Sequence, residues 1–176
     1  MFGLDTVQIW LIVLVLTLIW VIVAYVELRK MHAQMQKAWN DYATVSEERT
    51  KQTKQIVAFG RKYIKHEKSL IDKIAKFETD IPTEVNTEKR AALEEELTSA
   101  LHSFFSVAES YEKLRIKPEY NEIHDKLIEL EKEMKTHISY YNTIALTHNR
   151  LIVRFPKIYI AKFCNFQKAN RLINTN

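Results

Sequence analysis

Six histidines and a scatter of carboxylates are the residues in this chain with obvious chemical potential. His66-Glu67 opens the HExxH pattern of a zinc protease, but Leu70 stands where the second histidine belongs. A di-iron helical centre needs paired Glu-x-x-His, with both side chains on one helical face. The residues three before each histidine are Arg29, Tyr63, Ser99, Asn121, Met134 and Ala145, so that centre is not expected either. What remains is His137, Tyr141 and His148, which share one face at helical spacing. They could line a ligand or proton path. The simpler reading is a set of buried hydrogen-bonding residues that fix helix register, with Tyr140, Tyr141 and Asn142 forming a polar-aromatic knot. No catalytic, metal-binding or cofactor-binding residue is assigned, and no cofactor is expected.

The elements that must carry these residues are helical. The 176 residues include only two glycines and three prolines, too few for the turns of a strand-rich fold. One cysteine, Cys164, excludes an internal disulfide and every Cys-rich zinc pattern. With two glycines there is no GxGxxG and no P-loop.

Residues Ile9 to Val26 read IWLIVLVLTLIWVIVAYV, with Thr17 the one clearly polar side chain. At ~1.5 Å per residue the run covers roughly 27 Å, the thickness of a bilayer's hydrocarbon. Only Asp5 is charged before it, whereas Arg29, Lys30 and Lys37 follow it. That asymmetry predicts a retained single-pass anchor with the N-terminus outside and the remainder cytoplasmic. A cleaved signal is disfavoured by the acidic n-region and by the bulky Tyr25-Val26-Glu27-Leu28.

Beyond the anchor, apolar residues recur every three or four positions. The rows are Leu28 to Val45, Ile56 to Phe77 with His66 filling a seam position, Leu93 to Leu114, and Tyr120 to Phe155. Thr79 to Thr87 reads as a loop around Pro82, Pro118 suits a first helical turn, and Pro156 should stop the last row. The spacing would allow one helix from Glu27 to Phe77, of roughly 77 Å, against ~56 Å for the last row. Matching lengths favours a break in SEERTKQTKQ, with Thr50 or Thr53 as cap. The expected architecture is all-α: an anchor over 1–26, an antiparallel up-down four-helix bundle over 27–156 with three long helices as the alternative, and a basic-aromatic tail over 157–176.

The net charge of +4 is unevenly spread. Glu94 to Glu96 and Glu129 to Lys135 read as solvated helix faces. Nothing after Glu133 is acidic, and the tail interleaves Lys157, Lys162 and Lys168 with Tyr159, Phe163 and Phe166. Such a segment suits a membrane surface, or equally a cover over the end of the bundle. It carries no recognisable nucleic-acid module, so the bilayer and a protein are the expected partners, and nucleic acid is not.

Two stretches carry a family resemblance. ALHSFFSVAESYEKLR, Ala100 to Arg115, holds an Ala-Leu, an Ala-x-x-Glu-x-Tyr with Glu109 and Tyr111, and a Leu-Lys-like ending. YYNTIALTHNRLIVRFP holds Tyr141-Asn142 and Phe155-Pro156, while Ala38-Trp39 and Tyr63-x-x-His66-Glu67 lie upstream. Together these resemble the LemA family of bacterial membrane proteins over most of Leu28 to Pro156. The resemblance implies a single N-terminal span in the bacterial inner membrane, an antiparallel helical bundle, and a turn near 50–54. There the family carries Asp-Leu-Ile-Pro and this chain reads Lys51, Gln52, Thr53, Lys54. The family's glycine-containing motif is also missing around Phe163 to Phe166. Members resemble membrane-associated accessory proteins, some linked to membrane metalloproteases or magnetosomes, and bring no catalytic residues. The function expected is therefore a non-enzymatic, membrane-anchored protein-interaction or membrane-organising accessory. The alternatives are a homo-oligomeric coiled-coil scaffold, and a membrane enzyme or ligand carrier using His137, Tyr141 and His148.

Overall fold

A computed structural model describes residues 6–172. Asp5, which bears on topology, and tail residues 173–176 lie outside them. The described residues are all-helical: α1 (Thr6–Tyr63), α2 (Lys68–Thr83), α3 (Thr87–Glu109), α4 (Glu112–Arg115), α5 (Pro118–Val153) and α6 (Lys157–Phe163). They divide into two compact units, one of residues 6–37 and 143–169, the other of residues 38–142 and 170–172.

The second unit holds the larger core. Ile56 and Phe59 of α1, Ile71 and Ile74 of α2, Leu97 and Phe104 of α3, Leu114 of α4, and Ile123 and Leu127 of α5 form one buried cluster. Each such side chain contributes about 1.5–3 kcal/mol on burial. Gly60 lies on α1 against this core. A Cβ there would lie 2.9 Å from Phe104 Cε2 and 3.0 Å from Ile71 Cγ1.

The expected break at 50–54 does not occur, and α1 continues to Tyr63. The hydroxyls expected to cap a new helix bond backward within the old one. Thr50 Oγ1 donates to the Ser46 carbonyl at 3.0 Å, and Thr53 Oγ1 to the Arg49 carbonyl at 2.8 Å. The polar run stays helical because its other inward side chains, Ser46 and Arg49, find partners on α3. The chain turns instead at residues 64–67, where Ile64 is buried and His66 is exposed, so His66 fills no seam position.

The loop over Thr79–Thr87 is also shorter than expected. α2 continues through Pro82 to Thr83. Ile81 is fully buried, the Thr83 hydroxyl is shared between the carbonyls of Thr79 and Asp80, and the Glu84 amide closes the helix on the carbonyls of Asp80 and Ile81. Asn86 then caps α3, its side chain accepting from the Glu88 and Lys89 amides. The row expected to run to Leu114 stops at Glu109, and α4 is a separate single turn. Pro118 opens α5 as its position suggested, and α5 ends three residues before Pro156.

In the first unit, every side chain from Thr6 to Val23 is exposed. Packing begins at Ala24 and Leu28, both buried. Leu28, Ile152 and Ala161 form a small core, with Leu151, Ile160 and Phe166 against it. Among the described residues α1 alone is long and apolar enough to cross a membrane.

Candidate functional site

The strongest polar constellation lies within the second unit and was not foreseen. Arg49, on α1, is buried, and its Nη1 lies 2.8 Å from Oε2 of Glu94 on α3. Ser46 donates its hydroxyl to Glu94 Oε1, and Arg90 Nη2 donates to that same Ser46 oxygen at 3.0 Å. Arg49 Nη2 reaches Thr98 Oγ1 at 2.7 Å. The expectation that Glu94 belongs to a solvated face is therefore wrong. Its spacing held the signal: Ala91, Glu94, Leu97 and Leu101 are one buried row, and Arg49 falls on the row of α1 that faces inward.

Both Glu94 oxygens are engaged, so this carboxylate is a structural acceptor rather than a free base. Above the pair opens a groove of about 210 Å³, walled by Thr98, His102, Glu131, Met134 and Lys135. Glu131 accepts from His102 Nε2 at 2.9 Å and lies 2.8 Å from Lys135 Nζ. Partial burial would push its pKa up, but these two hydrogen bonds prevail and hold it below the usual carboxylate range. Tyr42 lies under the same cluster. Burial raises its phenol pKa, the Glu94 carboxylate adds to that, and its hydroxyl finds no partner among the described residues.

Trp39 joins this cluster to the end of the chain. Its ring packs 5.3 Å from Tyr42 and 6.0 Å from Tyr141, and the Arg90 guanidinium lies 5.7 Å above it. Tyr141 is buried and donates its hydroxyl to the Asn170 carbonyl at 3.2 Å. Asn142 holds one residue by both main-chain groups: Nδ2 donates to the Leu172 carbonyl at 2.9 Å, and Oδ1 accepts from the Leu172 amide at 2.8 Å. Tyr141 and Asn142 of the knot thus also clamp the C-terminal segment at Asn170 and Leu172. Tyr140, about half exposed, is outside it.

A chain with Trp39 and Tyr141-Asn142 so placed matches a known family. Residues 38–175 fit the family model described as the LemA family. The chain belongs to the LemA family. No curated protein sequence matches it. In this member the turn implied near 50–54 is helix, and Asn165 follows the last helix. Asn165 has φ 55°, a left-handed conformation that asparagine tolerates better than most residues. It lets the Phe166 amide return to the Ala161 carbonyl at 2.9 Å and the Asn165 amide to the Lys162 carbonyl at 3.2 Å, closing α6.

The remaining family-motif residues scatter. His66, Glu109, Tyr111 and Phe155 are exposed, Glu67 precedes α2 and accepts the Ile71 amide, and Pro156 precedes α6. Within the first unit, His148 is buried, its Nδ1 3.4 Å from Asn149 Oδ1 and its ring 5.9 Å from that of His32, which meets Phe166 edge-on. Burial lowers the His148 pKa and nearby His32 lowers it further, against the opposing Asn149 contact. Asn149 also brackets Ala169, donating to its carbonyl and accepting from its amide, both at 2.8 Å. His137 is half-buried. Of the residues with expected membrane contact, Tyr159, Lys162, Phe163 and Lys168 are exposed, Phe166 is half-buried, and Lys157 pairs with Glu27.

Proposed function

We propose that this LemA-family chain is a single-pass, membrane-anchored accessory whose helical domain, an up-down four-helix bundle, engages protein partners without chemistry of its own. The observation that carries the reading is the change along α1. From Thr6 to Val23 it is apolar and wholly exposed, and from Leu28 onward it contributes to packed cores. Soluble proteins do not leave so long an apolar face bare, and lipid is the solvent that suits it. Arg29, Lys30 and Lys37 directly after the run favour the bacterial inner membrane with the N-terminus outside and the domain cytoplasmic.

The non-catalytic reading draws on how the polar residues are used. Glu94, Tyr141 and Asn142 each spend their hydrogen-bonding capacity on fixed neighbours of the fold. The partner would be another membrane protein, a membrane protease among the candidates. Affinity capture of the full-length protein from gently solubilised native membranes, read by mass spectrometry, tests this. The expected result is a stoichiometric membrane protein. Recovery of the chain alone, as a defined oligomer, would replace the accessory reading with that of a self-assembling scaffold.

A further inference from the structure

The segment leading into α6 carries an aromatic row that the fold leaves bare. Phe155, Tyr159 and Phe163 recur every fourth residue and are 75%, 67% and 93% exposed. Phe155 and Tyr159 meet edge-on at 6.2 Å, so their rings form one continuous patch. The opposite side of α6 is seated: Ala161 is buried, and Ile160 packs with it against Leu28 and Ile152. Lys157 Nζ lies 2.6 Å from Glu27 Oε2.

The place where α6 is seated gives the patch its meaning. Glu27 and Leu28 directly follow Val26, the last residue of the apolar run. With that run inserted, residues 27 and 28 lie where hydrocarbon gives way to headgroups, and α6 is held beside them. The segment's own charges are of one sign: it carries Arg154, Lys157, Lys162 and Lys168, only Lys157 is paired with a carboxylate, that of Glu27, and no acidic residue follows Glu133. Aromatic rings and cationic side chains together are the chemistry that partitions into the interface of an anionic leaflet.

We propose that the segment Phe155–Phe163 is an interfacial element that lies on the same anionic leaflet from which α1 emerges. Phe155, Tyr159 and Phe163 enter the headgroup region, and Arg154, Lys162 and Lys168 face lipid phosphates. The chain then meets its membrane twice, and the second contact depends on lipid charge where the first does not. This inference rests on the anchor reading above.

Cys164, the sole cysteine, is exposed and adjoins Phe163, so it can carry an environment-sensitive NBD label. The labelled full-length protein is reconstituted into phosphatidylcholine vesicles with or without phosphatidylglycerol. Quenching is read with nitroxide lipids labelled near the headgroup or deep in the acyl chain, and Trp20, with Trp10 and Trp39 replaced by Phe, serves as an independent reporter of the anchor. The expected result is NBD quenching by the shallow nitroxide, stronger with phosphatidylglycerol. It should fall about three-fold or more in the Phe155→Ser, Tyr159→Ser, Phe163→Ser variant while Trp20 quenching is unchanged. Quenched Trp20 with water-exposed, unquenched NBD would overturn this inference and leave the anchor standing. Loss of both signals would overturn both. A blue-shifted NBD that resists lipid nitroxides and grows with protein-to-lipid ratio would assign the patch to a second copy and overturn the lipid reading.

Discussion

At the level of single residues, Glu94 and His148 set the sharpest expectations. Removing one member of a buried ion pair strands the other, which costs about 3–5 kcal/mol. Glu94→Ala should therefore lower the urea-unfolding free energy of the detergent-solubilised chain by about that amount. The double change Arg49→Met with Glu94→Leu should recover most of the loss, because an apolar pair of similar bulk removes both charges. His148 is buried with its pKa lowered, so between its folded and unfolded pKa values the unfolded chain binds more protons than the native one. Stability must then rise with pH across that window, and it is lost as pH falls through about 6.5, the unfolded imidazole value. His148→Gln should flatten the dependence of thermal midpoint on pH over this range, and an unchanged slope would place the titration elsewhere.

Among the elements, α1 and the C-terminal segment differ most from what the residue pattern suggests. Lys54→Pro, at the position where the family's turn carries proline, should destabilise the chain by about 3 kcal/mol or more, since it removes a helical hydrogen bond and clashes with the preceding turn. Near-neutral unfolding curves for this variant would mean that α1 is interrupted there. Asn142→Ala should cost about 2 kcal/mol by leaving both main-chain groups of Leu172 unpaired, read as faster hydrogen exchange at the Leu172 amide. Asn142→Asp keeps the acceptor for that amide and should protect it better.

The helical class, the first turn at Pro118 and the apolar run were legible because each rests on local spacing or backbone chemistry. The turn at 64–67 was not. Arg49, a charge at a seam position, and Thr53, a candidate cap, suggest a break in isolation and become inward residues only when α3 supplies Glu94 or their own helix accepts the hydroxyl. Glu94 itself was hidden inside a run of three glutamates whose neighbours do face solvent. The clamp by Asn142 left no trace in side-chain pattern, because what it grips is main chain. Asn165 was equally silent, since a left-handed helix end is usually signalled by glycine.

At the level of the whole molecule, the apolar run and the basic tail imply different responses to salt. A washed membrane fraction should retain the full-length protein in high salt and release it only to detergent, because screening weakens surface charge without touching apolar insertion. Release by salt alone, followed by immunoblotting, would contradict an inserted helix. Deleting residues 6–26 should leave a chain that high salt releases to the soluble fraction with its helical circular dichroism retained.

The unit that holds the apolar run is assembled from residues 6–37 and 143–169, so its two parts are separated in the chain by all of the sequence between them. During synthesis the N-terminal part is made and can enter the bilayer long before Ile152, Lys157 or Ala161 exists. Until then Leu28 is uncovered and Glu27 uncompensated, and on the anchor reading proposed above both stand at the membrane's edge. Closure is therefore a late event in the birth of each molecule. A chain cut short before residue 152 would keep the whole apolar run and yet leave the seat around Leu28 open.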